Sequence, residues 1–552
     1  MASISAVEGV LLPPLDVSST QNAGLSARRV DQLVWCLVAI GVAARLVRYL
    51  LRFPLWGDEY MVAENFITRD YAGLMRPLDN GQVAPILYLW LEMAAVKLLG
   101  FSEYSLRLVA IVSSVASVFV FRHLARRLLA GVPLLLAVGI FCVSYYPVRH
   151  GSEAKPYATD LLVACTLLAL AVEWWRDPSR SRWLWVLAAA APLCVGLSFP
   201  SVFVGGGITL GLLTTVWRHR TRGNLSAFIA YNLALVGAFG FVHWLSSSEQ
   251  YSRWSGPMIA MWGENFPPSV TQPWELCKWF VDAHTAELFA YPIGGKRGGS
   301  TISLLLAIVA CAALWRTRAR PLVLVFLATQ SLALVGAALE RYPYGGGDRL
   351  LQYAGPAICL LVGYGAAVTL GSVRWPAWRR RWIVAAPAVL CTIGGAMIVR
   401  DLVQPYKHRQ DLQHQGFARW FWSQEPADGE LVCVASEQGM ELYPAFDDSA
   451  FRCYQKIYSP RHRRNVASAA LTTTSEPLRC VVFHAPGAAP DELALAAWRE
   501  QMARDYDLAG LTTYPVLIEQ KKDQKWYMNY DVYTFRPKAS STAAAGSAST
   551  PR

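Results

Sequence analysis

Eleven apolar runs, each close to the 17–25 residues a helix needs to cross a bilayer, limit this chain to one kind of architecture. They fall near 31–51, 105–121, 132–147, 157–175, 183–199, 201–217, 226–246, 300–315, 320–339, 350–371 and 382–400. In lipid the backbone has no water to bond with, so such runs must be helical. Only 16% of the 552 residues are charged, against about a quarter in a soluble protein. The 21 Trp and 24 Tyr fit a bilayer interface, where rings with one polar edge settle. The eleven Cys show no CxxC pair and no zinc spacing, and most lie inside apolar runs as small hydrophobes. No basic segment followed by an apolar core precedes Arg28, so the first apolar helix is expected to act as an uncleaved signal.

Loop charges set the orientation. The run 83–100 resembles a span but carries Glu92 and Lys97. If it does not span, Arg122–Arg127, Trp175–Arg182, Arg218–Arg222, Arg316–Arg320 and Arg374–Arg381 all fall on the side of Arg28 and Arg29. Basic loops stay cytoplasmic. The run 83–100 is therefore expected to lie as a helix at the outer surface, with eleven spans, the N-terminus inside and the C-terminus outside. The net charge of +12 is then mainly topogenic, with attraction for anionic headgroups or a phosphate-bearing substrate as a second use. The expected organisation is a cytoplasmic disordered segment 1–27, a transmembrane domain 28–402, an external α/β domain 403–538 and a disordered tail 539–552. In the external domain, Glu430–Ala435 and Leu478–His484 read as strands, Asp491–Tyr506 as a helix, and Pro515–Glu519 with Tyr527–Phe535 as a hairpin.

This topology brings four ionisable clusters to the outer face. The first is Leu55-Trp56-Gly57-Asp58-Glu59-Tyr60, where two carboxylates lie at the mouth of a helix. A carboxylate there has its charged form disfavoured and suits a proton acceptor; the competing reading is an N-cap, with Glu59 in the first turn of the next helix. The second is Arg149-His150-Gly151-Ser152-Glu153-Ala154-Lys155-Pro156-Tyr157, with Asp160 one turn on; a solvated, self-screening turn is the alternative. The third is Glu340–Arg349, where three glycines between Arg341 and Arg349 admit an anion or make a flexible turn. The fourth is Gly294-Gly295-Lys296-Arg297-Gly298-Gly299. None has the spacing of a nucleotide-phosphate loop. A divalent metal near Asp58 and Glu59 stays open, though two adjacent carboxylates are too few ligands to argue it.

The order of these motifs resembles a known family. A first span, then Trp-Gly-Asp-Glu-Tyr, then Ala-Pro-Ile-Leu-Tyr-Leu-Trp-Leu, is similar to the polyprenyl-phosphate-sugar glycosyltransferases of the GT-C fold. So are Phe-Ser-Glu-Tyr-Ser-Leu-Arg-Leu and Phe-Arg-His-Leu-Ala-Arg-Arg-Leu at 121–128. The loop Arg-His-Gly-Ser-Glu-Ala-Lys-Pro-Tyr resembles that family's second external loop, in the branch of protein O-mannosyltransferases and the aminoarabinose transferase of lipid A. The resemblance covers about 30–175 and, by topology alone, the later spans. It implies inverting transfer of a sugar from a polyprenyl-phosphate carrier to a glycan, lipid or protein acceptor on the external, periplasmic face of the inner membrane. It implies Asp58 as the base that takes or orients an acceptor proton, with Glu59 paired beside it. Arg149, His150, Glu153, Lys155 and Tyr157 would face the donor. Arg341 and Arg349 are added on physical grounds as phosphate partners. One departure stands out: relatives often carry Lys or His just before a Pro-Pro-Leu-Tyr stretch, where this chain reads Gln82-Val83-Ala84-Pro85, so that basic contact is either missing or supplied elsewhere, by Lys155 or Arg341.

The layout argues against a rival reading as a transporter or flippase, which would place charges near the bilayer midplane in repeated halves. A scaffold with a binding domain leaves Asp58 and the basic loops without a use. No nucleic acid and no nucleotide is called for; the partners are the lipid-linked donor, its acceptor and membrane lipids.

Overall fold

The structure is a computed structural model describing residues 26–247, 259, 261–294, 298–425, 429–434, 448–459, 466–468, 476–484, 492–521 and 524–538. The expectations for the two chain ends, and for Lys296 and Arg297, lie almost wholly outside the described residues. All eleven apolar runs are helical: Ala27–Leu50, Leu108–Leu128, Gly131–Val143 with Tyr145–Arg149, Tyr157–Arg176, Arg182–Leu197, Ser201–Arg218, Arg222–Val242, Gly299–Trp315, Arg320–Ala338, Gly355–Gly371 and Pro376–Val403. Among the described residues seven helices are long and apolar enough to cross a membrane, or eight if the bent pair Gly131–Val143 and Tyr145–Ser152 is one span. Arg182–Leu197 and Gly299–Trp315 are apolar but shorter. The helix within 83–100 runs from Ile86 to Leu99, and its 14 residues are too few for a crossing.

The chain divides into two compact units. The first contains 1–52, 69–100 and 104–405, the second 53–68, 101–103 and 406–552. The segment bearing Asp58 and Glu59 thus belongs with the C-terminal part of the chain.

In the helical unit, small residues let helices touch where side chains elsewhere hold them apart. A Cβ on Gly211 would strike the Val325 backbone nitrogen at 2.5 Å, which seats Ser201–Arg218 against Arg320–Ala338. Charges at the basic helix ends are partly matched. Arg126 reaches Asp31 at 3.2 Å, Arg127 pairs with Glu173, and His123 approaches Glu173 at 3.0 Å.

The second unit carries a five-stranded mixed sheet of β1 (Leu431–Val434), β2 (Val466–Ser468), β3 (Leu478–His484), β4 (Tyr506–Lys521) and β5 (Gln524–Pro537), in the order β2-β1-β3-β5-β4. β1 is parallel to β2 and β3, whereas β5 is antiparallel to β3 and β4. Tyr533 and Phe535 share a face by the two-residue period and pack with Leu495, Trp498 and Met502, which lie three and four residues apart on the Glu492–Asp505 helix. Tyr530 points the other way, with its ring stacked 3.8 Å from Phe417 on the Arg409–Ser423 helix. The hairpin is longer than the sequence reading, and β2 and the Asp448–Tyr458 helix are additions to it.

Candidate active site

In the helical unit the candidate groups gather at a break in the chain. Gly131–Val143 ends at Ser144, which is extended (φ −69°, ψ 130°), and the chain restarts as Tyr145–Arg149 at a bend of 44°. Ser144 Oγ donates to the Ile140 carbonyl at 2.6 Å, satisfying a carbonyl the broken ladder would leave open. Beyond the break, Tyr145 Oη accepts from Arg149 Nη1 at 2.8 Å and also from Arg400 Nη1. The two guanidiniums lie 5.6 and 4.9 Å from the Tyr145 ring centre. Among the described residues neither forms an ion pair with a carboxylate. Two cations therefore meet at one neutral oxygen, and an anion brought there would relieve their repulsion.

A buried imidazole ties two loops together. His150 Nδ1 lies 2.9 Å from Glu153 Oε2, and Nε2 lies 3.2 Å from Asp348 Oδ2. His150 can donate to both carboxylates only when both ring nitrogens carry a proton. Tyr157 meets the imidazole edge-on at 5.6 Å. Asp348 is held in turn: its Oδ1 accepts from the Arg349 amide at 3.0 Å, and its own amide donates to Glu287 Oε2 at 3.0 Å. Sequence reading passed over Asp348 as a site residue because nothing local distinguishes it from any acidic turn residue.

Lys155 is buried, and its Nζ donates to Gln82 Oε1 at 2.6 Å. The chain thus carries an ammonium at the position where Gln82 itself offers none.

The 340–349 loop has a different use from the one expected of its glycines. Added Cβ atoms at Gly345, Gly346 and Gly347 would meet Ala283, the Asn265 side chain and the Trp262 ring. Gly345 and Gly347 also have φ of +74°, a region that disfavours side chains. The triplet lets this loop press against the Pro273–Thr285 segment and its neighbours. Arg349 lies over the Trp262 ring at 5.0 Å, while Arg341 is exposed. In the same region His284 donates through Nδ1 to the Phe280 carbonyl at 2.7 Å, which leaves Nε2 to accept from Tyr344 Oη at 3.1 Å. Burial lowers the His284 pKa, in keeping with that neutral tautomer.

Sequence reading also missed the charges inside the first span. Arg48 Nη1 pairs with Asp401 Oδ1 at 2.9 Å, and its Nε donates to the Arg149 carbonyl at 2.8 Å. Arg45 is fully buried and bonds Ser114 Oγ at 3.0 Å and the carbonyls of Gly41 and Cys142 at 2.9 and 3.0 Å. Their spacing of three residues at the end of an apolar run was the available signal, since such charges face the bundle interior.

In the second unit, Gly57–Ala63 is a helix with both carboxylates in its first turn. Glu59 is fully buried, and its Oε2 accepts from the Trp56 amide at 3.3 Å, the capping role. Asp58 is only half-buried. Lys407 Nζ lies 3.0 Å from the centre of the Trp56 ring, a cation–π contact two residues before Asp58. Among the described residues no three His, Cys, Asp or Glu side chains gather as metal ligands.

No family model and no curated protein matches the sequence. Solved structures do. The chain is similar to ArnT from Cupriavidus metallidurans in the apo state, with 13% identity and a TM-score of 0.53 over 90% of this chain and 97% of that one. The same protein bound to undecaprenyl phosphate gives a TM-score of 0.48 at 13% identity over the same shares. The Archaeoglobus fulgidus oligosaccharyltransferase in the apo form gives 0.43 at 10% identity, over 76% of this chain and 64% of that one. At such identities the likeness speaks to the fold. The chain is a multi-pass membrane protein of the GT-C fold with a small C-terminal α/β domain.

Proposed function

We propose that this protein is a membrane glycosyltransferase. It moves a sugar, with inversion, from a polyprenyl-phosphate carrier to an acceptor on the external face of the membrane. The observation that carries the reading is the meeting of Arg149 and Arg400 at Tyr145 Oη. A polyprenyl chain lies in the bilayer and holds its phosphate at the interface. Cations there would stabilise the phosphate as it leaves with growing negative charge, which is electrostatic catalysis. Lys155 adds a third cation in the same unit. The GT-C fold supports the same class of reaction by analogy.

Asp58 serves as the base in this scheme. It takes or orients the acceptor proton while the acceptor oxygen attacks the anomeric carbon, and the carrier phosphate leaves with the bonding electron pair. Glu59 supports the helix that presents Asp58. Arg149, Lys155 and Arg400 hold the phosphate, and His150, Glu153 and Tyr157 keep the loop beneath them in place. Arg341 and Arg349 are assigned a lesser share as peripheral cations.

The test is donor binding in purified, detergent-solubilised protein. Polyprenyl phosphate should be retained by the wild type and lost on replacing both Arg149 and Arg400 by Gln. Equal retention by the double variant would reject the assignment.

A further inference from the structure

The Asp58 segment is held by the C-terminal helix Asp448–Tyr458, and all the contacts lie within the second unit. Glu64, at the end of the Gly57–Ala63 helix, is buried. Its Oε1 accepts from Arg452 Nη1 at 2.9 Å and its Oε2 from Ser449 Oγ. Tyr454 Oη accepts from the Leu55 amide at 3.1 Å and donates to the Leu55 carbonyl at 3.4 Å. Cys453 Sγ donates to the Tyr60 carbonyl at 3.6 Å. The segment is thus gripped before and after Asp58 by consecutive turns of one helix almost 400 residues away in sequence. The contacts of Glu64 and Leu55 fix the helix axis and the height of its first turn.

We propose that Arg452 and Glu64 form a positioning clamp that sets Asp58 for catalysis, so that the C-terminal domain contributes to the reaction. This rests on the reading of Asp58 as the base. Reaction geometry tolerates little displacement: about 1 Å at the reacting groups can cost about 100-fold in rate. An ion pair with a buried carboxylate and two hydrogen bonds to it resists such displacement.

The experiment uses the full chain carrying Arg452→Gln, Glu64→Gln, the double substitution and Arg452→Lys, with Asp58→Asn as control. Product is read as mass-spectrometric abundance of the transferred sugar in cell-envelope glycans, normalised to protein in the membrane. Hydrogen exchange of peptides spanning 53–68 is read on the purified protein. Each single Gln variant should lose product about 10- to 100-fold and exchange faster across 53–68. The double should be no worse than either single, because the two groups act as a pair. Arg452→Lys should recover a large part of the product. Unchanged exchange and product in the single variants, or fully additive losses in the double, would overturn the clamp. If Asp58→Asn keeps product, the functional reading fails instead, and the exchange data alone then decide whether the clamp holds the segment.

Discussion

Lys155 donates to the side-chain carbonyl of Gln82 across 73 residues of sequence, at 2.6 Å. Family resemblance leads one to look for a cation in the stretch 82–85, and the chain reads Gln-Val-Ala-Pro there instead. The ammonium arrives from the next loop.

Replacing Lys155 by Met should therefore cut sugar transfer by about 100-fold, the usual cost of losing one donor to a developing oxyanion. Gln82→Ala should cost less, since it leaves the ammonium in place. Initial rates of carrier-phosphate release by reconstituted protein make the comparison. A Gln82→Ala loss as large as that of Lys155→Met would contradict it.

Arg149→Ala and Arg400→Ala should each weaken retention of polyprenyl phosphate by about 10-fold, corresponding to one charge-assisted hydrogen bond of ~1.5 kcal/mol. Tyr145→Phe should have a smaller effect, because the phenol only separates the two cations. Raised salt should weaken binding in the wild type and matter less in the arginine variants.

His150 supports structure more than chemistry. Substituting Phe removes the group that faces both Glu153 and Asp348, and loss of a buried ionic partner costs about 3 kcal/mol. Thermal unfolding of the purified protein should show a clear drop in midpoint, with a smaller one for His150→Gln.

His414 gives the C-terminal domain a pH dependence. Its imidazole is buried beside the Tyr530 ring, and burial pushes its pKa down to about 3. The unfolded chain protonates His414 near pH 6.5, whereas the folded domain resists until about pH 3. Its contribution is constant above that range, and stability falls as pH drops through it, by a few kcal/mol at most. Hydrogen exchange over 409–423 should quicken between about pH 6 and pH 4 relative to its intrinsic rate, and His414→Phe should flatten that change.

Orientation has its own check. A reporter fused after Arg127 should read cytoplasmic, and an external signal would mean that Ile86–Leu99 crosses the membrane after all.

The helices were legible because apolar length in lipid leaves only one backbone solution, and each expected run is helical. Strands β1 and β3 were legible as short, Val-containing apolar runs of the kind that buried strands carry. Partnerships between distant residues were not. Arg400 reads as one basic residue at the end of a span, and only the fold brings it to Tyr145. The glycines at 345–347 read as an anion nest or a flexible turn, and their close packing on Trp262 and Asn265 is visible only in the fold. Glu59 beside Asp58 reads either as a second acid or as part of an N-cap, and the fold shows its carboxylate in the capping role. The bracing of the Asp58 segment by residues 449–454 could not be read because neither end carries a local motif.

Carrier-phosphate release with Asp58 intact or replaced tests the central claim most directly. Protein reconstituted in liposomes with a polyprenyl-phosphate sugar and a cell-envelope acceptor extract should release free polyprenyl phosphate only when both are present. Asp58→Asn should abolish that release at equal protein content. Release unaffected by Asp58→Asn, or movement of a solute across the liposome without any carrier turnover, would contradict the account.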